Sequence, residues 1–205
     1  MMNYSDGVYA GMAVAAMYSE AFFEKDPRKL VEHSLKVIPS DCKYAQMIRD
    51  VLAAKDKYPD WKAAWKVIYK KWATIDGEKP NDTGDVIANG SFVYIGLLYG
   101  GGDFWKSMNI TMRCGKDSDC NPSSVAGIIG TILGMKAIPE KWAILRNLPI
   151  ENRAIKDIYP KLIHWDDIIN STVDVGKWNI LHSGGHTFKD SVYIPDLKPI
   201  SAQIE

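Results

Sequence analysis

Residues 114–134 read CGKDSDCNPSSVAGIIGTILG, a polar acidic loop that runs directly into a segment of small and apolar residues. Two carboxylates, those of Asp117 and Asp119, lie two residues apart in the loop. In the segment that follows, Gly127 and Gly130 share nearly one face if the chain is helical. Small residues at that spacing allow a neighbouring element to approach closely. The pattern therefore predicts a central helix that begins at an acidic loop.

Helices are also predicted on both sides of this stretch, because apolar residues recur at helical spacing between polar caps. Aspartates occupy the expected N-cap positions of four of them, namely Asp6, Asp26, Asp60 and Asp103. The segment 86–99 is predicted to be a buried helix, and its apolar content includes Phe92, Ile95, Leu97 and Leu98. The predicted helices cover residues 8–24, 41–54, 61–72, 86–99, 104–114, 122–134 and 166–177, and a further helix begins at Pro27.

No convincing strand alternation occurs along the chain, so the predicted fold class is all-α. We expect residues 1–180 to form one helical domain. Residues 181–205 contain several glycines and prolines and are expected to form an irregular tail. The polar stretch 76–85 is predicted to be a loop and is the best internal boundary.

Composition excludes several classes of protein. The chain has 205 residues, with 25 Lys and Arg against 25 Asp and Glu, so its formal net charge is zero. We therefore expect no nucleic-acid surface. No apolar run approaches the ~18 residues of a membrane-spanning helix, and the first residues do not resemble a secretory signal. Three cysteines without a C-x-x-C pair favour a reducing compartment, so a cytoplasmic location is expected.

The acidic loop has two interpretations from the residues alone. Its closely spaced carboxylates are ligands that a hard cation prefers. Alternatively, Asp119 is a helix cap and Asp117 is solvated. A calcium EF-hand is excluded, because counting from Asp117 places Pro122 where Gly is required and Ile128 where a bidentate Glu is required.

The order of motifs from Gly90 to Trp142 resembles the C-terminal signature of the ADP-ribosylglycohydrolase family. That signature has an acidic motif close to G-G-D-T-D-T-N, then a helix of Ala and Gly residues, then I-P-x-x-W. The corresponding segments here are 115–121, 125–134 and 138–142. The first helix, within residues 5–23, resembles the family more loosely. The resemblance implies an all-α orthogonal helical bundle.

The resemblance also implies roles for individual residues. Asp117 and Asp119 would be ligands of a pair of magnesium ions, and Asp119 would bridge them. Cys120 occupies a position where the family places a ligating Thr. Magnesium has little affinity for sulfur, so Cys120 coordinates nothing, or water replaces the hydroxyl group, or the metal is softer. Lys116 replaces a Gly of the motif, and we expect it to point to solvent in preference to lowering the carboxylate pKa values or contacting a diphosphate. Asp6 is a candidate for the substrate cleft, with a helix cap as its alternative role.

One family feature is missing from these residues. Family members carry a second acidic cluster of the T-D-D-T type toward the N-terminus, whose carboxylates complete the metal site. Here Asp82-Thr83 lacks the second Asp, and Asp166-Asp167 is followed by Ile168. We therefore expect the chain to be a C-terminal portion of such an enzyme, either through a truncated reading frame or as one half of a split protein, in which case an N-terminal half would be its partner.

The function implied by the resemblance is magnesium-assisted hydrolysis of the glycosidic bond that links ADP-ribose to an acceptor, with an ADP-ribosylated molecule as substrate. Two alternatives remain. One is a non-catalytic all-α binding or scaffold module that retains the family fold. The other is a cysteine hydrolase built on Cys120, because a helix N-terminus lowers a thiol pKa. It would need a base from His33, His164, His182 or His186.

Overall fold

The computed structural model describes residues 4–153, 161–189 and 191–196, and these residues are mainly helical. The helices within them are α1 (Asp6–Glu20), α2 (Pro27–Ser34), α3 (Lys43–Lys57), α4 (Trp61–Trp72), α5 (Val86–Gly100), α6 (Phe104–Arg113), α7 (Cys120–Leu133), α8 (Glu140–Ala143) and α9 (Trp165–His182). Two short 3-10 helices span Met135–Ala137 and Ile144–Asn147. The predicted all-α fold class is confirmed.

The strands of the described residues are short and form three separate antiparallel pairs. The first pair, β1 (Thr74–Ile75) with β2 (Lys79–Pro80), lies partly within the predicted loop 76–85. The second pair is β3 (Ile150–Glu151) with β4 (Leu162–Ile163). The third pair is β5 (His186–Phe188) with β6 (Ser191–Tyr193), and it lies in the predicted tail. Residues 190 and 197–205 of that tail lie outside the described residues.

The described residues divide into two compact units, the first ending at Ile138 and the second beginning at Pro139. The first unit contains α1 to α7 and the hydrophobic core. In the second unit, α8, α9 and the strands β3 to β6 are largely exposed, and no residue of α9 is buried. Within the described part of the chain, no helix has the length and apolar character needed to cross a membrane.

Helix α5 is the central element of the first unit. Its residues 90–100 are all buried, and it packs against α1, α2, α3, α4, α6 and α7. Burial on every side agrees with its apolar sequence. Helix α7, which the glycine pattern predicted to be central, buries only Asn121, Val125, Ile128 and Ile129. That prediction was therefore wrong in its choice of the central helix, since α7 packs on one side of α5.

Glycines allow close packing, though not at every predicted position. In α7, a Cβ atom at Gly127 would lie 2.9 Å from Cζ of Tyr18 in α1, whereas Gly130 has room for one. The tightest approach is between α5 and α6. There a Cβ atom at Gly100 would lie 2.6 Å from the backbone Cα of Ser107. The contact between these helices therefore depends on the absence of a side chain on α5.

The predicted aspartate caps are confirmed at three of four positions. The carboxylates of Asp26, Asp60 and Asp103 each accept a hydrogen bond from a backbone N–H two or three residues later, at 2.9, 3.2 and 2.6 Å. The prediction for Asp6 was wrong. Ser5 precedes α1, and the Asp6 carboxylate instead accepts a hydrogen bond from the backbone N–H of Tyr44 at 2.9 Å. It therefore stabilises the first turn of α3.

Candidate metal site

A sharp reversal of the chain joins α6 to α7. Helix α6 ends at Arg113, and the next residues include Gly115 and Lys116, which have positive φ values of 93° and 57°. Glycine adopts this left-handed conformation readily, and the conformation is common at the residue that follows a helix. For a lysine the same conformation is unfavourable, so other contacts must stabilise it.

Lys116 makes those contacts through its side chain. Its Nζ atom donates hydrogen bonds to the backbone carbonyls of Asn81 and Asp82, at 2.9 and 3.1 Å. The expectation that Lys116 points to solvent was wrong. Its ammonium group connects the acidic loop to the segment between β2 and α5, which stabilises the reversal.

Asn89 of α5 connects the beginning of the acidic loop to its end. Its Oδ1 atom accepts hydrogen bonds from the backbone N–H of Asp117 at 3.2 Å and from Nδ2 of Asn121 at 2.8 Å. Its Nδ2 atom donates to the carbonyls of Thr83 and Asp85. Sequence reasoning missed this residue. The signal that could have identified it was an amide side chain in a mainly apolar helix.

The two carboxylates converge at the N-terminus of α7. Side-chain ligand atoms of Asp117, Asp119 and Cys120 all lie within 4.8 Å of one another. Both carboxylates accept a hydrogen bond from the backbone N–H of Cys120, at 3.2 Å for Asp117 and 3.0 Å for Asp119. Asp119 is therefore also the N-cap of α7, as one interpretation of the sequence predicted. The positive end of the helix dipole favours negative charge at this place.

Hydrogen bonds and charges set the protonation of the loop. Hydrogen bonding with the Asp119 carboxyl group, and then with the backbone N–H of Cys120, lowers the pKa of Asp117 below its usual value. The Cys120 thiol has a raised pKa, because it hydrogen-bonds to Asp117 and lies close to both negative charges. Near neutral pH the loop therefore offers carboxylate oxygens and a protonated thiol.

These donors match a hard cation only in part. Carboxylate oxygens are preferred ligands of magnesium, whereas a protonated thiol is a poor one. Magnesium requires near-octahedral oxygen coordination, and two aspartates on one loop cannot supply all of it. Among the described residues, no further His, Cys, Asp or Glu joins this group. The loop can therefore supply only part of the coordination of such an ion.

Asp6 does not belong to this cluster. Its carboxylate lies at the first turn of α1 and is engaged by the backbone of Tyr44 in α3. Asp6 is absent from the group of potential metal ligands in the described chain. The structure thus brings together Asp117, Asp119 and Cys120 but assigns Asp6 a contact that stabilises the fold.

The arrangement contradicts a cysteine hydrolase built on Cys120. A nucleophilic cysteine needs a lowered pKa and a base, but the carboxylates beside Cys120 raise its pKa. The Nδ1 atom of His33 is already engaged by Glu20 at 3.0 Å, and no histidine of the described residues joins Cys120 in the cluster with the two aspartates.

We therefore expect the exposed Cys120 thiol to react slowly with iodoacetamide. Because its pKa is raised, the thiolate fraction at pH 7 is smaller than that of an ordinary cysteine, and the rate should increase only at higher pH. Asp117→Asn removes a negative charge and should shift the pH profile of the reaction to lower pH. The measurement is alkylation of Cys120 followed by mass spectrometry in EDTA, with Asp103→Asn as the control. An unchanged profile in Asp117→Asn would contradict the assigned cause.

A comparison with protein families identifies residues 1–167 as a match to the family model described as ADP-ribosylglycohydrolase. The match includes the acidic loop and all seven helices of the first unit. No curated protein and no solved structure matches the chain.

Proposed function

The chain belongs to the ADP-ribosylglycohydrolase family, and from this premise we propose that its acidic loop is part of a magnesium site for hydrolysis of the bond between ADP-ribose and an acceptor. The observation that carries the proposal is the convergence of Asp117 and Asp119 at the N-terminus of α7. These carboxylates lie in the loop that corresponds to the acidic motif of the family.

Each residue of the loop has a distinct part in this proposal. Asp117 and Asp119 hold the cation through carboxylate oxygens, and the lowered pKa of Asp117 keeps that group ionised when the pH falls moderately. Asn89 and Lys116 position the loop through the hydrogen bonds described above. When bound, magnesium supplies Lewis-acid stabilisation of negative charge and lowers the pKa of a coordinated water.

We propose further that a second polypeptide, such as an N-terminal half of the same enzyme, contributes the missing ligands. The argument is the coordination requirement of magnesium, which the aspartates of one loop do not meet. Carboxylates from a partner would complete the site, accommodate two ions and place the ADP-ribosylated substrate between the two polypeptides.

A non-catalytic binding or scaffold module is the second candidate function. The observation that favours it is Cys120, since an exposed, protonated thiol occupies a position where the family has a ligating oxygen. A module of this kind would retain the family fold and bind neither magnesium nor ADP-ribose productively.

Magnesium titration and product release separate the two functions. The chain is titrated with magnesium by calorimetry, alone and after mixing with any polypeptide that is encoded immediately upstream. ADP-ribose release from an ADP-ribosylated substrate is then followed by chromatography. We expect release only when magnesium and both polypeptides are present. Absence of magnesium binding and of release in every combination would contradict the hydrolase and favour the scaffold.

A further inference from the structure

A separate cleft of about 500 Å³ lies between α3 and α4 in the first unit. Its walls are mainly apolar and include Ala53 and Ala54 of α3 and Val67 and Ile68 of α4. Small-molecule sites typically enclose about 300 to 1,000 Å³ and are lined mainly by apolar groups with a few polar ones. The size and lining of the cleft therefore suit a small ligand with an apolar body.

The charged groups of the cleft are mainly positive. Lys57, Lys70 and Lys71 contribute three ammonium groups, and Asp50 contributes one carboxylate. That carboxylate is already engaged, because its Oδ2 atom lies 2.5 Å from Nζ of Lys71 and accepts a hydrogen bond from Trp72 Nε1 at 2.7 Å. Among the described residues, Lys57 and Lys70 have no carboxylate partner. The Lys57 ammonium lies over the Tyr58 ring, 5.4 Å from its centroid, and this contact leaves its charge, like that of Lys70, available to an anionic ligand.

Two features of the fold support this arrangement. In the turn between β1 and β2, Gly77 has a φ of 78°, and a Cβ atom on it would lie 3.2 Å from Cε of Lys70. Because Gly77 has no side chain, the side chain of Lys70 can lie along this turn. At the end of α3, the Tyr99 hydroxyl lies 2.6 Å from the carbonyl oxygen of Tyr58 and donates a hydrogen bond to it. This hydrogen bond reduces the negative potential that the C-terminus of α3 would present to an anion in the cleft.

We propose that this cleft binds a small organic anion with an apolar body. The body lies between α3 and α4 against the alanines and Val67, and the acidic group contacts the ammonium groups of Lys57 and Lys70. The site uses no residue of the acidic loop, so it is independent of the proposed hydrolase site. An aromatic sulfonate or carboxylate and a medium-chain fatty acid share the required chemistry.

Fluorescence titration of the whole chain with 8-anilinonaphthalene-1-sulfonate tests the proposal, and competition by benzoate or decanoate distinguishes aromatic from aliphatic ligands. We expect one saturable site. Lys57→Gln and Lys70→Gln should each weaken binding about tenfold, because each removes a charge-assisted contact and retains most of the side-chain stem. Ala53→Trp should abolish binding by filling the cleft, and this exposed position tolerates a larger side chain without disturbing the core.

Lys66→Gln is the matched control, since Lys66 is an exposed lysine of α4 that does not line the cleft. Its affinity for the sulfonate should equal that of the unmodified chain. Equal weakening by Lys66→Gln and Lys70→Gln would show nonspecific attraction and overturn the proposal. Unchanged binding in Ala53→Trp, with circular dichroism confirming the fold, would overturn it as well.

Discussion

Asp119→Asn is expected to weaken magnesium binding by about 100-fold or more, and the ADP-ribose release proposed above should fall with it. Changing a residue that only orients a metal ligand typically costs about 10- to 100-fold in affinity, and removing a charged ligand should cost at least as much. Asparagine retains a side-chain oxygen that can accept the hydrogen bond from Cys120, so the N-cap of α7 is preserved. The effect should therefore appear in metal affinity and leave thermal stability nearly unchanged.

Calorimetric titration with magnesium measures this effect, and Asp103→Asn is the matched control. Asp103 is the N-cap of α6 as Asp119 is of α7, but its carboxylate accepts a hydrogen bond from the N–H three residues later instead of the next one, and it lies outside the acidic loop. Cys120→Thr provides the reverse test, because it replaces the protonated thiol with an oxygen ligand and should raise magnesium affinity, whereas Cys120→Val should not. If Asp119→Asn and Asp103→Asn bound magnesium equally well, the acidic loop would not be the metal site.

Gly100→Ala is expected to lower the free energy of unfolding by about 1 to 3 kcal/mol, the range observed for overpacked cores. The new Cβ atom would lie 2.6 Å from Cα of Ser107, and since that atom is backbone, α6 as a whole would have to move. Gly96→Ala should have a similar effect, because its Cβ atom would lie 3.0 Å from the Ser107 carbonyl oxygen. Urea unfolding followed by tryptophan fluorescence measures the loss.

Gly11→Ala is the control for these substitutions. Gly11 also lies within a helix, α1, but a Cβ atom there meets nothing within 4 Å. Alanine at this position should stabilise the protein by about 0.5 to 1 kcal/mol, because it favours the helical backbone more than glycine does. A similar gain in Gly100→Ala would show that α5 and α6 are not in close contact.

The N-caps illustrate how far local sequence reasoning extends. At Asp26, Asp60 and Asp103 the carboxylate bonds to a backbone N–H only two or three residues away, so the contact can be predicted from a short window of sequence. At Asp6 the same reasoning was wrong. Its partner, Tyr44, lies 38 residues away, and no local rule identifies such a partner.

In the acidic loop, too, some features can be predicted from neighbouring residues, whereas others depend on contacts with distant parts of the chain. The sequence alone determines that two carboxylates lie close together before a helix, because Asp117 and Asp119 are separated by a single residue. Their support comes from distant positions: Asn89 lies 28 residues before Asp117, and Lys116 reaches carbonyl groups 34 and 35 residues earlier. The helices and the pair of carboxylates can be predicted from the spacing of residues along the sequence, which does not depend on the conformation of the chain. The contacts that hold the loop, and the choice of α5 over α7 as the central helix, were decided only by the packing of helices from distant parts of the chain.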